Sequence, residues 1–256
     1  MRNKIYKYAR RVARRFGADI VPFVGGKDHY PLPDMDDISA EIIATVENYT
    51  MTTPERIFSV IDAVRYITKY GIEGAFVECG VWRGGSAMAM ALTLNTLDID
   101  TRDIYLYDTF SGMPEPSEED ISLGGSPANI VFQSKKISAN SSDWCFSEID
   151  EVRKNLNRTG YPEEKFHLIS GKVEDTLPVN APERIALLRL DTDWYESTKH
   201  ELVHLFPLLT KHGVLIVDDY GHWKGARKAV DEYISENRLC LFLSRVDYTA
   251  RVAIKG

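Results

Sequence analysis

The sequence predicts an α/β fold: a seven-stranded, mostly parallel sheet with helices on both faces, preceded by an N-terminal helical extension. Three observations carry that expectation. From residue 54 onward, short apolar runs alternate with stretches of helical period, the pattern of repeated strand-helix units. A glycine turn, Gly80 to Gly84-Gly85, follows the first apolar run and opens a helix. Two later runs, Leu188-Arg189-Leu190 and Ile216-Val217, end in the aspartate clusters Asp191-Thr192-Asp193 and Asp218-Asp219. The carboxyl ends of parallel strands are where such sheets bind ligands.

Taken in order, residues 4–16 set Ile5, Tyr8, Val12 and Phe16 at helical spacing among Lys4, Lys7, Arg10, Arg11, Arg14 and Arg15. This basic amphipathic helix suits an arm packed on its own domain, or, through residues 1–18, contact with an anionic membrane surface. Residues 21–37 hold three prolines and Gly25-Gly26 and read as a linker or flap. Helices are expected at 38–49 and 54–70, the second with Thr53 as N-cap, Pro54 in its first turn and Gly71 past its end. Strands follow at 75–79, 104–107, 166–170, 185–190, 213–217, 240–244 and 250–254. Helices intervene near 85–97, 145–158, 195–209 and 225–236, with Pro207 ending or kinking the third. Residues 111–142 are polar, rich in Gly, Pro and Ser, and begin at a strand end that faces the expected crevice; they read as a substrate-side lid rather than a disordered loop. The domain division is 1–50 for the basic helix, linker and cap helix, and 51–256 for the α/β domain.

Composition narrows the function. The net charge of −7 conceals seven Lys/Arg and no acid in residues 1–15, so the body carries 24 basic against 38 acidic residues. An acidic body argues against nucleic acid as a partner. The three cysteines, Cys79, Cys145 and Cys240, have no metal-knuckle or disulfide spacing, and no apolar run reads as a signal peptide or membrane span. A cytoplasmic protein, with membrane association only through its basic end, is the expectation.

The chemistry lies in the strand ends. Glu78 stands before Gly80, and three residues separate Gly80 from Gly84, so the turn departs from the dinucleotide pattern G-x-G-x-x-G. An acid there repels a pyrophosphate but suits a cationic ligand such as S-adenosylmethionine. Asp108 ends the next strand, where a carboxylate accepts from ribose hydroxyls, and Ser170-Gly171-Lys172-Val173-Glu174-Asp175 offers backbone groups to an adenine ring. The crowded aspartates repel one another, and a hard divalent cation such as Mg²⁺, which takes oxygen ligands, relieves that repulsion. Asp191 or Asp193 is the expected proton acceptor, with His222 the next candidate. Asp193 also reads as a first-turn helix acid, and His222 as a loop histidine beside Trp223. His200 and His204 stand one helical turn apart without further ligands nearby in sequence, and read as a solvated helix face.

Four ordered motifs carry a family resemblance: Val77 through Ser86, Tyr107-Asp108-Thr109-Phe110-Ser111-Gly112-Met113-Pro114, Leu190 through Thr198, and Val217-Asp218-Asp219-Tyr220. Over residues 51–233 the chain resembles the macrocin O-methyltransferases, the TylF-like enzymes that methylate sugar hydroxyls of macrolides and related natural products. The resemblance implies a class I methyltransferase (Rossmann-like) fold with S-adenosylmethionine and Mg²⁺. It implies Asp191, Asp218 and Asp219 as metal ligands and Glu78, Gly80, Gly84, Ser86 and Asp108 as cofactor contacts. Val81, Trp82, Thr109, Gly171, Val173 and Asp191 complete the expected cofactor wall, and Thr52 and Thr53 belong to a segment that closes over it. Thr53 before Pro54 is equally explained as a helix cap. Where the family carries Asp-Gly-Asp-Leu, this chain has Thr192 and Trp194 in place of the glycine and leucine.

The implied activity is methyl transfer from S-adenosylmethionine to a sugar hydroxyl of a natural product or surface glycan, an acceptor whose vicinal oxygens chelate the metal, by an enzyme that forms homo-oligomers. A catechol-type or other small-molecule O-methyltransferase uses the same metal logic. An NAD-dependent oxidoreductase and a non-catalytic binding module are the readings from other classes.

Overall fold

In the computed structural model, which describes residues 34–138 and 141–256, the order of elements follows the expected alternation. The basic helix expected at 4–16 and most of the linker lie outside the described residues. Helix α1 (Asp37–Val46) starts where Asp36 accepts a hydrogen bond from the Ser39 amide. Helix α2 (Pro54–Lys69) is capped by Thr53, whose hydroxyl accepts from the Arg56 amide. Strand β1 (Ala75–Cys79), helix α3 (Gly85–Thr96) and strand β2 (Ile104–Asp108) form the first crossover unit. After the segment that carries α4 (Ala128–Lys135) and a hairpin of β3 (Lys136–Ser138) and β4 (Ser141–Ser142) come α5 (Ile149–Asn157), β5 (Phe166–Ser170) and the short α6 (Val173–Thr176). Then follow β6 (Ile185–Leu190), α7 (Tyr195–Leu205), β7 (Leu209–Val217), α8 (Lys224–Glu236), β8 (Ser244–Arg245) and β9 (Arg251–Ile254).

The main sheet has seven strands in the order β5-β2-β1-β6-β7-β9-β8. The first five run parallel; β9 pairs antiparallel with β7, and β8 antiparallel with β9. Every residue of β1 and of β6 is buried, because helices cover both faces. Since β2 lies on one side of β1 and β6 on the other, chain progression reverses at β1, and a crevice opens above the carboxyl ends of β1 and β6. Both glycine turn and aspartate clusters sit at that rim. Asp36–Gly256 form one compact unit, and α1 packs on α3.

Several expected boundaries shift for identifiable reasons. The strand expected at 240–244 contributes only its last residue, Ser244, to β8, since Leu241 and Leu243 pack as coil against the core while Phe242 is exposed. Strand β7 starts at Leu209, earlier than 213, because 3-10 geometry at Phe206–Leu208, which contains Pro207, ends α7 and turns the chain straight into the sheet. Helix α5 starts at Ile149 rather than 145, after Cys145 takes a left-handed φ of 52°. The lid region is ordered in its described residues: Asp120, 1% exposed, accepts from the Tyr195 amide at 2.8 Å and from the amide and hydroxyl of Ser117.

Candidate active site

Beneath the crevice lies a buried ionic cluster organised by Arg189, which is 2% exposed. In-register pairing of β1 with β6 sets Glu78 opposite Arg189, and Nη1 donates to Glu78 Oε1 at 2.5 Å. The same guanidinium reaches Asp191 Oδ2 and Asp218 Oδ2, each at 2.8 Å. Arg56 of α2 adds a second cation, 2.8 Å from Asp218 Oδ2 and 3.2 Å from Asp247. Attraction from three acids holds Arg189 firmly charged against its burial. Burial pushes the Glu78 carboxyl up to about 7, and the Arg189 charge only partly opposes this.

Above that layer, Asp191, Asp193 and Asp219 bring a carboxylate oxygen each within 4.8 Å of one another. Burial and mutual repulsion raise the Asp191 and Asp219 carboxyls, and burial, with the charges of Asp191 and Asp218, pushes Asp193 up to about 7 against its hydrogen bond with Asp219. Asp219 Oδ2 is buried and has no hydrogen-bond partner. Three oxygens and an orphaned acceptor fit a hard divalent cation. Asp218, expected beside Asp219 in the metal set, instead sits fully buried under the group with one oxygen in two arginine bridges; its Oδ1 is without a partner. Asp193 takes the third place.

Two chambers adjoin at these acids. The first, an open cleft of about 720 Å³, is lined by Gly80, Trp82, Asp108, Thr109, Gly171 and Val173 among others, as expected for a cofactor. Gly80 has φ +85°, and a Cβ there would stand 2.0 Å from the Asp191 carbonyl oxygen, so only glycine lets β1 and β6 loops meet. Asp108 tightens the turn: Oδ2 accepts from the Val81 and Trp82 amides at 2.7 and 3.0 Å, and Oδ1 from Phe110. Burial raises its carboxyl, against those bonds. Gly84, in contrast, caps α3 at φ +87° and meets Val152 and Leu156 rather than either chamber.

The second chamber, about 970 Å³, is lined by Thr52, Arg56, Glu78, Val81, Ser86, Trp144, Asp219, His222, Trp223 and Tyr248 among others. Glu78 Oε2, buried without a partner, suits a bound ammonium group. Thr53 lines neither chamber; it caps α2 and donates to Asp247, as the capping reading allowed. His222 faces the chamber with its ring edge-on to Trp223, and Nδ1 lies 3.4 Å from the Tyr248 hydroxyl. Burial, and then Arg56, hold its pKa below the usual imidazole value. The sequence reading missed Arg56, Arg189, Asp247 and Trp144. A lone arginine inside the apolar run Leu187-Leu188-Arg189-Leu190 was the available signal, because a charge in a strand buried on both faces requires counter-charges.

A parallel sheet that reverses at β1, a glycine turn over a cofactor cleft and an oxygen-rich rim define a class I, S-adenosylmethionine-dependent O-methyltransferase. Comparison of the sequence with family models agrees: residues 44–254 match the model described as macrocin-O-methyltransferase (TylF), and the chain belongs to that family. It is similar to the demethyldecarbamoylnovobiocin O-methyltransferase of Streptomyces niveus, 31% identical over 72% of this chain and 67% of the relative. The mycinamicin III 3''-O-methyltransferase of Micromonospora griseorubida is 29% identical over 72% of this chain and 70% of its own. Among solved structures, the O-methyltransferase NovP superposes with a TM-score of 0.69 at 28% identity, covering 81% of this chain and 82% of that one.

Proposed function

We propose that this enzyme methylates a sugar hydroxyl, on a natural product or a surface glycan, with a divalent cation such as Mg²⁺ held by Asp191, Asp193 and Asp219. One observation carries the reading: Asp191 and Asp193 line both chambers, so the acids stand where a donor lying in the first, with its amino end reaching Glu78 in the second, meets an acceptor beside Trp144 and Trp223. Asp191, Asp193 and Asp219 would hold the cation, which would supply Lewis acidity to an alcohol oxygen of the acceptor. In the transfer, that oxygen bonds the methyl carbon as the carbon–sulfur bond breaks, and the electron pair stays on sulfur. The hydroxyl proton goes to the carboxylate oxygen of Asp193 that the cation leaves free. His222, held neutral, stands across the chamber as the second acceptor.

Support for a sugar comes from the walls. Trp144 and Trp223, with ring centroids 6.3 Å apart, give the acceptor chamber flat apolar surfaces that match the C–H face of a pyranose, while acids supply the polar edge. The name of one relative, from Streptomyces olivaceus, specifies the 4'-oxygen of a rhamnosyl-tetracenomycin. Mass detection of products from a panel of glycosides and catechols, with Mg²⁺ or with excess EDTA, tests the reading. Metal-dependent gain of one methyl by glycosides is expected; methylation of catechols alone, or turnover indifferent to EDTA, overturns it.

A further inference from the structure

Between the metal-binding aspartates and the lid lies a short loop whose central residue is strained. Asp193 adopts φ +69°, a left-handed conformation that non-glycine residues seldom take without being held. It is held from both sides. Below, the Thr192 hydroxyl donates to Glu201 Oε1 at 2.9 Å; Glu201 is fully buried in α7, and its other oxygen has no partner. Above, the indole Nε1 of Trp194 donates to the Pro114 carbonyl at 3.1 Å, and the Tyr195 amide donates to Asp120 of the lid region. The Trp194 amide closes the turn on the Thr192 carbonyl at 2.8 Å. Trp194 also packs edge-on against Trp144 and Trp223, the walls of the acceptor chamber. Thr192 and Trp194 are the two residues at which the loop departs from the family's glycine and leucine, so neither fastening is available to the form Asp-Gly-Asp-Leu.

We propose that Thr192 and Trp194 are positioning residues: Thr192, through Glu201, fixes Asp193 in its metal-facing conformation, and Trp194 couples that loop to the lid segment at Met113-Pro114. The metal half rests on the function proposed above; the loop half does not. A glycine at 192 gives the backbone freedom and removes the hydroxyl anchor, whereas valine keeps the shape and removes only the hydrogen bond.

The test compares parent, Thr192→Val, Thr192→Ser and Trp194→Phe in the full chain. Two readouts are taken: hydrogen–deuterium exchange of peptides spanning 111–115 and 190–195, and calorimetric Mg²⁺ titration of the protein saturated with S-adenosylhomocysteine. Thr192→Val is expected to speed exchange in 190–195 at least about tenfold and weaken Mg²⁺ about tenfold. Thr192→Ser is expected to restore both. Trp194→Phe is expected to speed exchange in 111–115 while α3 peptides keep the parent rate. Parent-like exchange in Thr192→Val and Trp194→Phe overturns the inference even if Mg²⁺ binds. If the parent takes no Mg²⁺ yet exchange responds as stated, the metal reading falls and the loop assignment stands.

Discussion

Arg189 Nη1 lies 2.5 Å from Glu78 Oε1, both side chains almost wholly buried and directly opposite each other on β6 and β1. This pair is the keel of the site. The same guanidinium also meets Asp191 and Asp218, so one cation fixes the acids of three adjacent strand ends. Removing it leaves buried carboxylates uncompensated. Arg189→Ala is therefore expected to lower unfolding stability by ~3–5 kcal/mol, measured by urea denaturation without metal.

Asp219→Asn keeps shape and removes one charge from the triad. Mg²⁺ affinity should fall by at least about 10- to 100-fold with S-adenosylhomocysteine affinity retained, a split that calorimetry resolves. Turnover should fall with it.

Asp193→Asn removes both the proposed proton acceptor and a proposed metal ligand, so turnover is compared at saturating Mg²⁺. A kcat loss of about 10²–10⁴ is expected at pH 7, with the acceptor KM changed much less. Product assays across pH locate the difference.

The metal-free protein should lose stability as pH rises. Glu78 and Asp193 are each pushed up to about 7, mainly by burial, whereas in an unfolded chain such carboxyls ionise near 4. Between those values the folded state holds protons that the unfolded state has released, so the slope of stability against pH is negative until the folded groups ionise. Thermal melts in EDTA from pH 4.5 to 7.5 check the sign. Saturating Mg²⁺ should flatten the decline, since the ion replaces protons on Asp193 and its neighbours.

Trp144 tests the sugar platform. Trp144→Ala is expected to raise the glycoside KM by roughly 3- to 10-fold, the loss of one stacking contact, with donor affinity unchanged.

The sheet was legible because β1, β2, β5 and β6 are short apolar runs with turn residues at both ends. Gly80 and Asp108 were legible because a tight turn and a strand-end acid restrict the residue types allowed. Helix α4 was not, since Ala128–Lys135 sits in a polar stretch and buries only Ala128 and Phe132. The grouping of the acids was half legible. Sequence adjacency suggested that Asp218 and Asp219 act together, yet Asp218 turns down to the arginines, and the left-handed turn at Asp193 brings its carboxylate beside Asp191 and Asp219. The lid's attachment through Trp194 and Asp120 depends on contacts roughly 75 to 80 residues apart, which no local pattern encodes.

The central claim is that Asp191, Asp193 and Asp219 grip a divalent cation at the meeting point of donor and acceptor chambers. Calorimetric titration of Mg²⁺ into the S-adenosylhomocysteine-bound parent and Asp219→Asn tests it most directly. The account predicts one ion per chain in the parent and a loss of binding in the variant; equal binding by both, or none by the parent, contradicts it.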